Sequence, residues 1–149
     1  MPIYYHISRG LKSPNLEKKF KKNVCLFFSK KNSSWYCLEK KISKDYGGYI
    51  EYKIYIPSSR FTNSFNPRKK NMIVKISKIN INKYKKILTI EYNNNRNLFI
   101  KDMKKKNIIG IDANTDLLYD LGFPFSGPEG FIWSKPNDIK IEQIKCVKL

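Results

Sequence analysis

Apolar and polar positions alternate most regularly at residues 50–56, and this period of two predicts a half-buried strand. Other apolar or β-branched runs of strand length lie at residues 2–8, 24–29, 72–76, 87–92, 108–111, 131–133 and 139–147. Turn-forming or lysine-rich segments separate most of these runs. The pattern therefore predicts a chain dominated by short strands.

Three segments carry helical signals instead. Ser13-Pro14 predicts an N-cap followed by proline at the first helical position, and Ser33-Ser34 predicts the cap of a second helix. Residues 98–105 predict a short basic helix. The apolar face of the second helix is formed by Trp35, Leu38 and Ile42. Because helices and strands do not alternate in a regular βαβ rhythm, we expect one α+β domain spanning residues 1–149.

Charge is distributed unevenly along the chain. The 149 residues carry 30 Lys or Arg against 12 Asp or Glu, for a net charge of +18, and residues 1–106 alone account for +20. Such a surplus favours polyanionic partners such as nucleic acid, nucleotides, an acidic protein or an anionic membrane surface, without choosing among them. A composition rich in Lys, Ile and Asn also fits an A/T-biased genome. Only four of the thirty cations are arginine, the residue that reads guanine edges, which disfavours sequence-specific DNA readout; they are Arg9, Arg60, Arg68 and Arg96.

The spacing of the cysteines and the lack of a signal-peptide pattern predict an intracellular protein, cytoplasmic or nuclear. Cys25, Cys37 and Cys146 form no CxxC pair, so neither a disulfide framework nor a close-spaced zinc site is predicted. Neither a signal-peptide core nor a membrane-spanning apolar run is present in the sequence. We therefore expect no membrane partner.

The sequence lacks the common phosphate-loop, dinucleotide, zinc-protease and serine-hydrolase motifs. His6 is the single histidine, so any histidine chemistry must use it, although a hydrogen-bonded structural role is the simpler interpretation. Glu129 stands in a Gly-Pro-Glu-Gly corner that would aim a carboxylate into a cleft or leave it in an exposed loop. The polar segment at residues 57–70 predicts a ligand-facing loop.

Asp112, Asp116 and Asp120 recur at offsets of four. On one helix these carboxylates would share a face and resemble a metal-binding stripe. The neighbouring Asn114-Thr115 favours a solvated cap and helix face instead.

Several segments, taken in order, resemble the ADP-ribosyltransferase-like superfamily of the diphtheria-toxin and poly-ADP-ribose-polymerase type, with its His-Tyr-Glu pattern. The matching segments are residues 3–10 with His6, residues 25–29 followed by the helix at 33–41, residues 47–56, and residues 107–112 and 128–141 with Glu129. The resemblance implies a split β-sandwich with short flanking helices that binds NAD between two sheets.

The resemblance also implies roles for individual residues. His6 would hydrogen-bond the nicotinamide ribose, Tyr36 would stack on the nicotinamide ring, and Glu129 would stabilise positive charge as the nicotinamide bond breaks. Arg9 would meet the pyrophosphate, and Ser29 is the remnant of the family's Ser/Thr motif. The stacking tyrosine is alternatively Tyr46 or Tyr49.

Two classes of function are therefore expected. The first is an NAD-dependent ADP-ribosyltransferase acting on a protein or a nucleic acid, with arginine disfavoured as acceptor because Gly127 replaces the first acid of the Glu-x-Glu pair. The second is a non-catalytic basic nucleic-acid-binding or structural protein. Because the family includes members without catalysis, enzymatic activity does not follow from the resemblance.

Overall fold

The computed structural model describes residues 3–64, 66, 68–88, 95–113, 115–121, 123 and 130–149. Its strands are β1 (Ile3–Arg9), β2 (Leu26–Phe28), β3 (Gly48–Tyr55), β4 (Phe61–Thr62), β5 (Met72–Ile76), β6 (Ile108–Ala113), β7 (Gly130–Ile132) and β8 (Lys140–Lys148). Its α-helices are α1 (Leu16–Lys21), α2 (Ser34–Ile42), α3 (Ile81–Ile87), α4 (Arg96–Lys105) and α5 (Thr115–Asp120). Short 3-10 helices cover Ser43–Tyr46 and Ser58–Arg60. The mixture confirms the α+β class.

The strands form two sheets. Sheet A has the order β1-β3-β8 with antiparallel neighbours throughout, and sheet B has the order β2-β7-β6-β5-β4. In sheet B the strands β2, β6, β5 and β4 run in one direction, because β7 is antiparallel to both of its neighbours while β4, β5 and β6 pair in parallel.

Apolar packing arranges these sheets in layers. One face of sheet B packs against α3 and α4 through residues such as Val74, Phe99 and Trp133. Its other face packs against sheet A, where Ile54 and Ile132 belong to one buried cluster. A third, smaller cluster lies on the opposite face of β1 and β3, where α2 packs. Sheet A is therefore covered by sheet B on one face and by α2 on the other.

Local hydrogen bonds explain where the helices begin. The Ser33 hydroxyl accepts from the Tyr36 amide and caps α2, as the sequence predicts. Helix α1 begins later than expected, because Asn15, rather than Ser13, accepts from the Lys18 amide. An Asx cap thus replaces the predicted serine cap.

The prediction of a strand at residues 87–92 is wrong for its first residue, Ile87. Ile87 ends α3, in which Ile81 and Tyr84 recur at helical spacing and are both buried. Residues 89–94 lie outside the described part of the chain. The lysine-rich stretch before Ile87 was expected to be a turn, but burial of Ile81 and Tyr84 on one face stabilises a helix there.

Candidate functional site

A cleft opens where β1 and β2 part. The backbone amides and carbonyls of Tyr5 and Ser29 exchange hydrogen bonds of 2.8 and 3.0 Å and form an isolated bridge between the two strands. Beyond this bridge, β1 continues along a cavity of about 610 Å³. The cavity is lined by residues 6–9, Lys19, Phe27 and one face of α2. This size lies within the range of small-molecule sites.

His6 lies in the wall of this cleft, with its Nδ1 2.7 Å from the Phe27 carbonyl oxygen. A carbonyl can only accept, so Nδ1 carries the proton and Nε2 is left as an acceptor in the neutral ring. Burial, assisted by the charge of Lys19, lowers the pKa of His6 from 6.5 to about 4, although the hydrogen bond to the Phe27 carbonyl acts in the opposite direction. His6 is therefore a neutral hydrogen-bonding group at physiological pH.

The face of α2 that lines the cleft carries Trp35, Leu38, Glu39 and Ile42. Their spacing of three and four residues places them on one side of the helix. The Trp35 ring lies 6.4 Å from the His6 ring, centroid to centroid. Helical spacing in the sequence predicted three of these residues to be neighbours, but it did not assign them to a cleft.

A bidentate ion pair crosses the cleft wall. The Arg9 Nε and Nη2 atoms donate to the two carboxylate oxygens of Glu39, both at 2.8 Å. The Arg9 guanidinium also lies 5.6 Å from the centroid of the Tyr46 ring. The hydrogen bonds to Glu39 raise the pKa of Arg9 above its ordinary value. The sequence predicted Arg9 as a phosphate contact, and the structure places it in the cleft with its charge already paired.

Tyr36 points away from the cleft. Its side chain is 1% exposed, and its hydroxyl donates to Glu51, which is itself fully buried. Burial and the Glu51 carboxylate raise the pKa of Tyr36 above its ordinary value. Because successive helical residues differ by about 100° in direction, Tyr36 faces sheet A while Trp35 faces the cleft. In this conformation the structure does not bring Tyr36 to the position of a stacking residue.

Glu51 is a polar residue that sequence reasoning missed. Its position in the alternating pattern of β3 predicts exposure, yet α2 covers this face of the sheet. No described residue donates a hydrogen bond to its Oε2 atom. The signal available in the sequence was a single acid in the centre of an aromatic and isoleucine-rich strand.

The remaining predicted residues are placed as follows. Ser29 is fully buried, accepts a 3.0 Å hydrogen bond from the Ser33 hydroxyl and does not line the cleft. Of the alternative tyrosines, Tyr49 is buried beside Tyr36 and Tyr46 is exposed beneath Arg9. Glu129 lies outside the described residues, so its predicted role stays a prediction.

Metal ligation finds no support in the described part of the chain. Asp112 lies in β6 and Asp120 in α5, so the acids at offsets of four do not form one helical stripe. Within the described ranges there is no group of three or more His, Cys, Asp or Glu side chains suited to hold a metal ion. Cys25, Cys37 and Cys146 form no disulfide bond.

Comparisons with protein-family models, with curated proteins and with solved structures found no match for this chain. Among the described helices, none has the length and apolar character that a bilayer crossing requires. The cleft and the charged surface are therefore the features of the molecule that indicate a function.

Proposed function

We propose that the chain is an ADP-ribosyltransferase-like domain that binds NAD in the cleft between β1 and α2. The observation that carries the proposal is the position of His6, the single histidine, at the point where two sheets part. The family resemblance assigns the nicotinamide-site histidine to this strand position, and His6 lines a cavity large enough for a nucleotide.

The tautomer of His6 suits contact with a ribose. With Nδ1 donating to the Phe27 carbonyl, the Nε2 atom accepts a hydrogen bond from a sugar hydroxyl. The lowered pKa keeps this acceptor available at physiological pH. A protonated ring would offer two donors and lose this function.

Two further features of the cleft fit a nicotinamide nucleotide. The Trp35 ring offers an aromatic face close to His6, and a cationic pyridinium ring is attracted to such a face. In this proposal Trp35 takes the stacking role that the resemblance gave to Tyr36. Lys19 supplies positive charge for phosphate oxygens, and Arg9 adds a guanidinium whose charge is partly offset by Glu39.

The proposed reaction transfers ADP-ribose to a protein or nucleic-acid acceptor. The bond between nicotinamide and the ribose C1′ atom breaks, nicotinamide leaves, and the acceptor nucleophile bonds to C1′ and loses its proton to solvent. A carboxylate near C1′ stabilises the positive charge that develops there. Glu129 is the predicted carboxylate, and Glu129→Gln is expected to lower turnover more than NAD affinity.

Calorimetric and thermal-shift titrations with NAD, nicotinamide and ADP-ribose test the binding step. The unmodified chain is expected to be stabilised by NAD, and both His6→Ala and Trp35→Leu are expected to lose that stabilisation. Tyr119→Leu is the matched control, because Tyr119 is a 71% exposed aromatic residue on α5 and does not line the cleft.

Circular dichroism of each variant separates lost binding from lost folding. If folded His6→Ala binds NAD as tightly as the unmodified chain, the cleft is not the NAD site. Absence of any NAD binding by the unmodified chain would refute the proposed function itself.

A further inference from the structure

The tripeptide Lys-Lys-Asn occurs four times in the chain, ending at Asn23, Asn32, Asn71 and Asn107. In every case the asparagine has a positive φ, between 56° and 64°. Asparagine tolerates the left-handed conformation better than other residues with a Cβ, which explains its place in these turns. The two preceding lysines are not required by that geometry.

Three of these turns lie at the same end of sheet B. The turns ending at Asn23, Asn107 and Asn71 precede β2, β6 and β5, respectively. These three strands run in the same direction, so their amino-terminal ends share one end of the sheet. The three turns therefore form a row along this end of the sheet. Because β7 and β6 lie between β2 and β5, the row is about 14 Å long at the usual strand spacing.

Hydrogen bonds between the turns support this convergence. Lys104, which precedes the Asn107 turn, donates through Nζ to the Asn23 Oδ1 atom at 3.2 Å. The Met72 amide, which follows the Asn71 turn, donates to the Asn107 carbonyl at 2.9 Å. Turns separated by more than 80 residues in sequence are therefore neighbours in space. We name the exposed lysines in or directly before these turns the basic end of sheet B, consisting of Lys21, Lys22, Lys69, Lys70, Lys104 and Lys105. Lys106, the remaining lysine of the Asn107 turn, is half-buried and pairs with Asp102.

The charge at the basic end is uncompensated. All six lysines are exposed, and none forms an ion pair with another described residue. Asp102 pairs with Lys106 of the Asn107 turn and Asp138 pairs with Arg60, so neither carboxylate pairs with the six exposed lysines. Lysines at the ends of α1 and α4 also complement helix dipoles, but Lys69 and Lys70 follow no α-helix directly.

We propose that the basic end of sheet B binds the phosphate backbone of a nucleic-acid strand without reading its sequence. A row of about 14 Å spans about four phosphates at the axial charge spacing of one strand. Of the two arginines beside the Asn71 turn, Arg60 is held by Asp138 and Arg68 is exposed next to Lys69. The surface is therefore formed mainly by flexible lysines, which contact phosphates as point charges. Among the described residues, the exposed large apolar side chains lie outside these turns, whereas a membrane-binding surface would need such groups.

Fluorescence anisotropy with labelled 20-nucleotide single-stranded DNA and RNA tests this surface, using the full chain over a range of potassium chloride concentrations. The test variant is the triple substitution Lys22→Gln, Lys70→Gln and Lys105→Gln, which removes one exposed lysine from each turn. The matched control is Lys41→Gln, Lys44→Gln and Lys148→Gln, which removes the same charge from exposed positions around α2 and the end of β8.

The test variant is expected to lose about tenfold or more in affinity at moderate salt, and its slope of log affinity against log salt is expected to fall by about two. The control is expected to lose less than about threefold. Equal losses in both variants would show that net charge alone controls binding and would overturn the proposal. Failure of the unmodified chain to bind either oligonucleotide, or tighter binding to vesicles containing phosphatidylserine, would also overturn it.

This surface is independent of the cleft. His6→Ala is expected to leave oligonucleotide affinity unchanged, so the NAD proposal and the nucleic-acid proposal fail separately. All three test lysines are exposed, and unchanged circular dichroism confirms that their substitution leaves the fold intact.

Discussion

The cleft wall and the basic end of sheet B differ in whether their charged groups have partners among the described residues. In the cleft wall Arg9 is paired with Glu39, and His6 is neutral and hydrogen-bonded. On the side of α2 that faces sheet A, buried Glu51 accepts a hydrogen bond from the Tyr36 hydroxyl. At the basic end six exposed lysines stand together without an acidic partner among the described residues. Paired and buried groups contribute to stability, whereas clustered cations contribute little or oppose it. Substitutions in the first region are therefore expected to change stability as well as NAD binding, whereas substitutions in the second are expected to change ligand binding with little effect on stability.

The largest effect on stability is expected from Tyr36→Phe. Removing the hydroxyl takes away the donor to Glu51, a carboxylate with no exposed surface, and the free energy of unfolding is expected to fall by about 1–3 kcal/mol. Chemical denaturation measures the change. Tyr119→Phe, at an exposed position, is the control and is expected to change stability by less than about 0.5 kcal/mol. A Tyr36→Phe protein as stable as the control would remove the distinction between the two regions.

An effect of comparable size, spread over the pH range between the two pKa values of His6, is expected from acid. The pKa of His6 is lowered from 6.5 to about 4 in the folded state, so the unfolded chain binds a proton first as the pH falls. The contribution of His6 to stability is full above pH 6.5 and is lost as the pH falls from 6.5 to 4. Over this range the free energy of unfolding is expected to fall by about 1 kcal/mol per pH unit. His6→Gln is expected to lack this component, as denaturation at several pH values would show. Parallel pH profiles for the two proteins would indicate that His6 titrates normally.

The smallest stability effect is expected from Glu39→Gln. The Arg9 and Glu39 side chains are 39% and 12% exposed, so breaking their ion pair is expected to cost less than about 1 kcal/mol. Freed from Glu39, Arg9 is expected to bind inorganic pyrophosphate more tightly, which calorimetry measures. Glu17→Gln removes the same charge from an exposed position on α1 outside the cleft. If both variants gain pyrophosphate affinity equally, Arg9 is not the anion contact.

The pattern of apolar residues predicted most of the described strands because local spacing reports which face of an element is buried. It predicted β3 well but not the burial of Glu51, because alternation does not show that α2 covers the second face of sheet A. The same limit applies to Trp35 and Tyr36. Both were visible as aromatic residues of one helix, but only the packed structure distinguishes the one in the cleft from the one in the core.

The basic end illustrates a second limit of sequence reasoning. The repeated Lys-Lys-Asn tripeptides can be seen in the sequence, and their asparagines indicate turns. Their convergence depends on the order and direction of β2, β6 and β5, which are set by long-range pairing. Charge totals along the chain could therefore predict a polyanionic partner without locating its surface.

The most direct test measures both ligands on both variants. NAD binding by calorimetry and oligonucleotide binding by anisotropy are compared for the unmodified chain, His6→Ala and the variant with Lys22, Lys70 and Lys105 replaced by Gln. The two regions predict separate losses: His6→Ala loses NAD alone, and the triple variant loses the oligonucleotide alone. Loss of both ligands in either folded variant, or of neither in both, would contradict the division of the molecule into a nucleotide cleft and a phosphate-binding end.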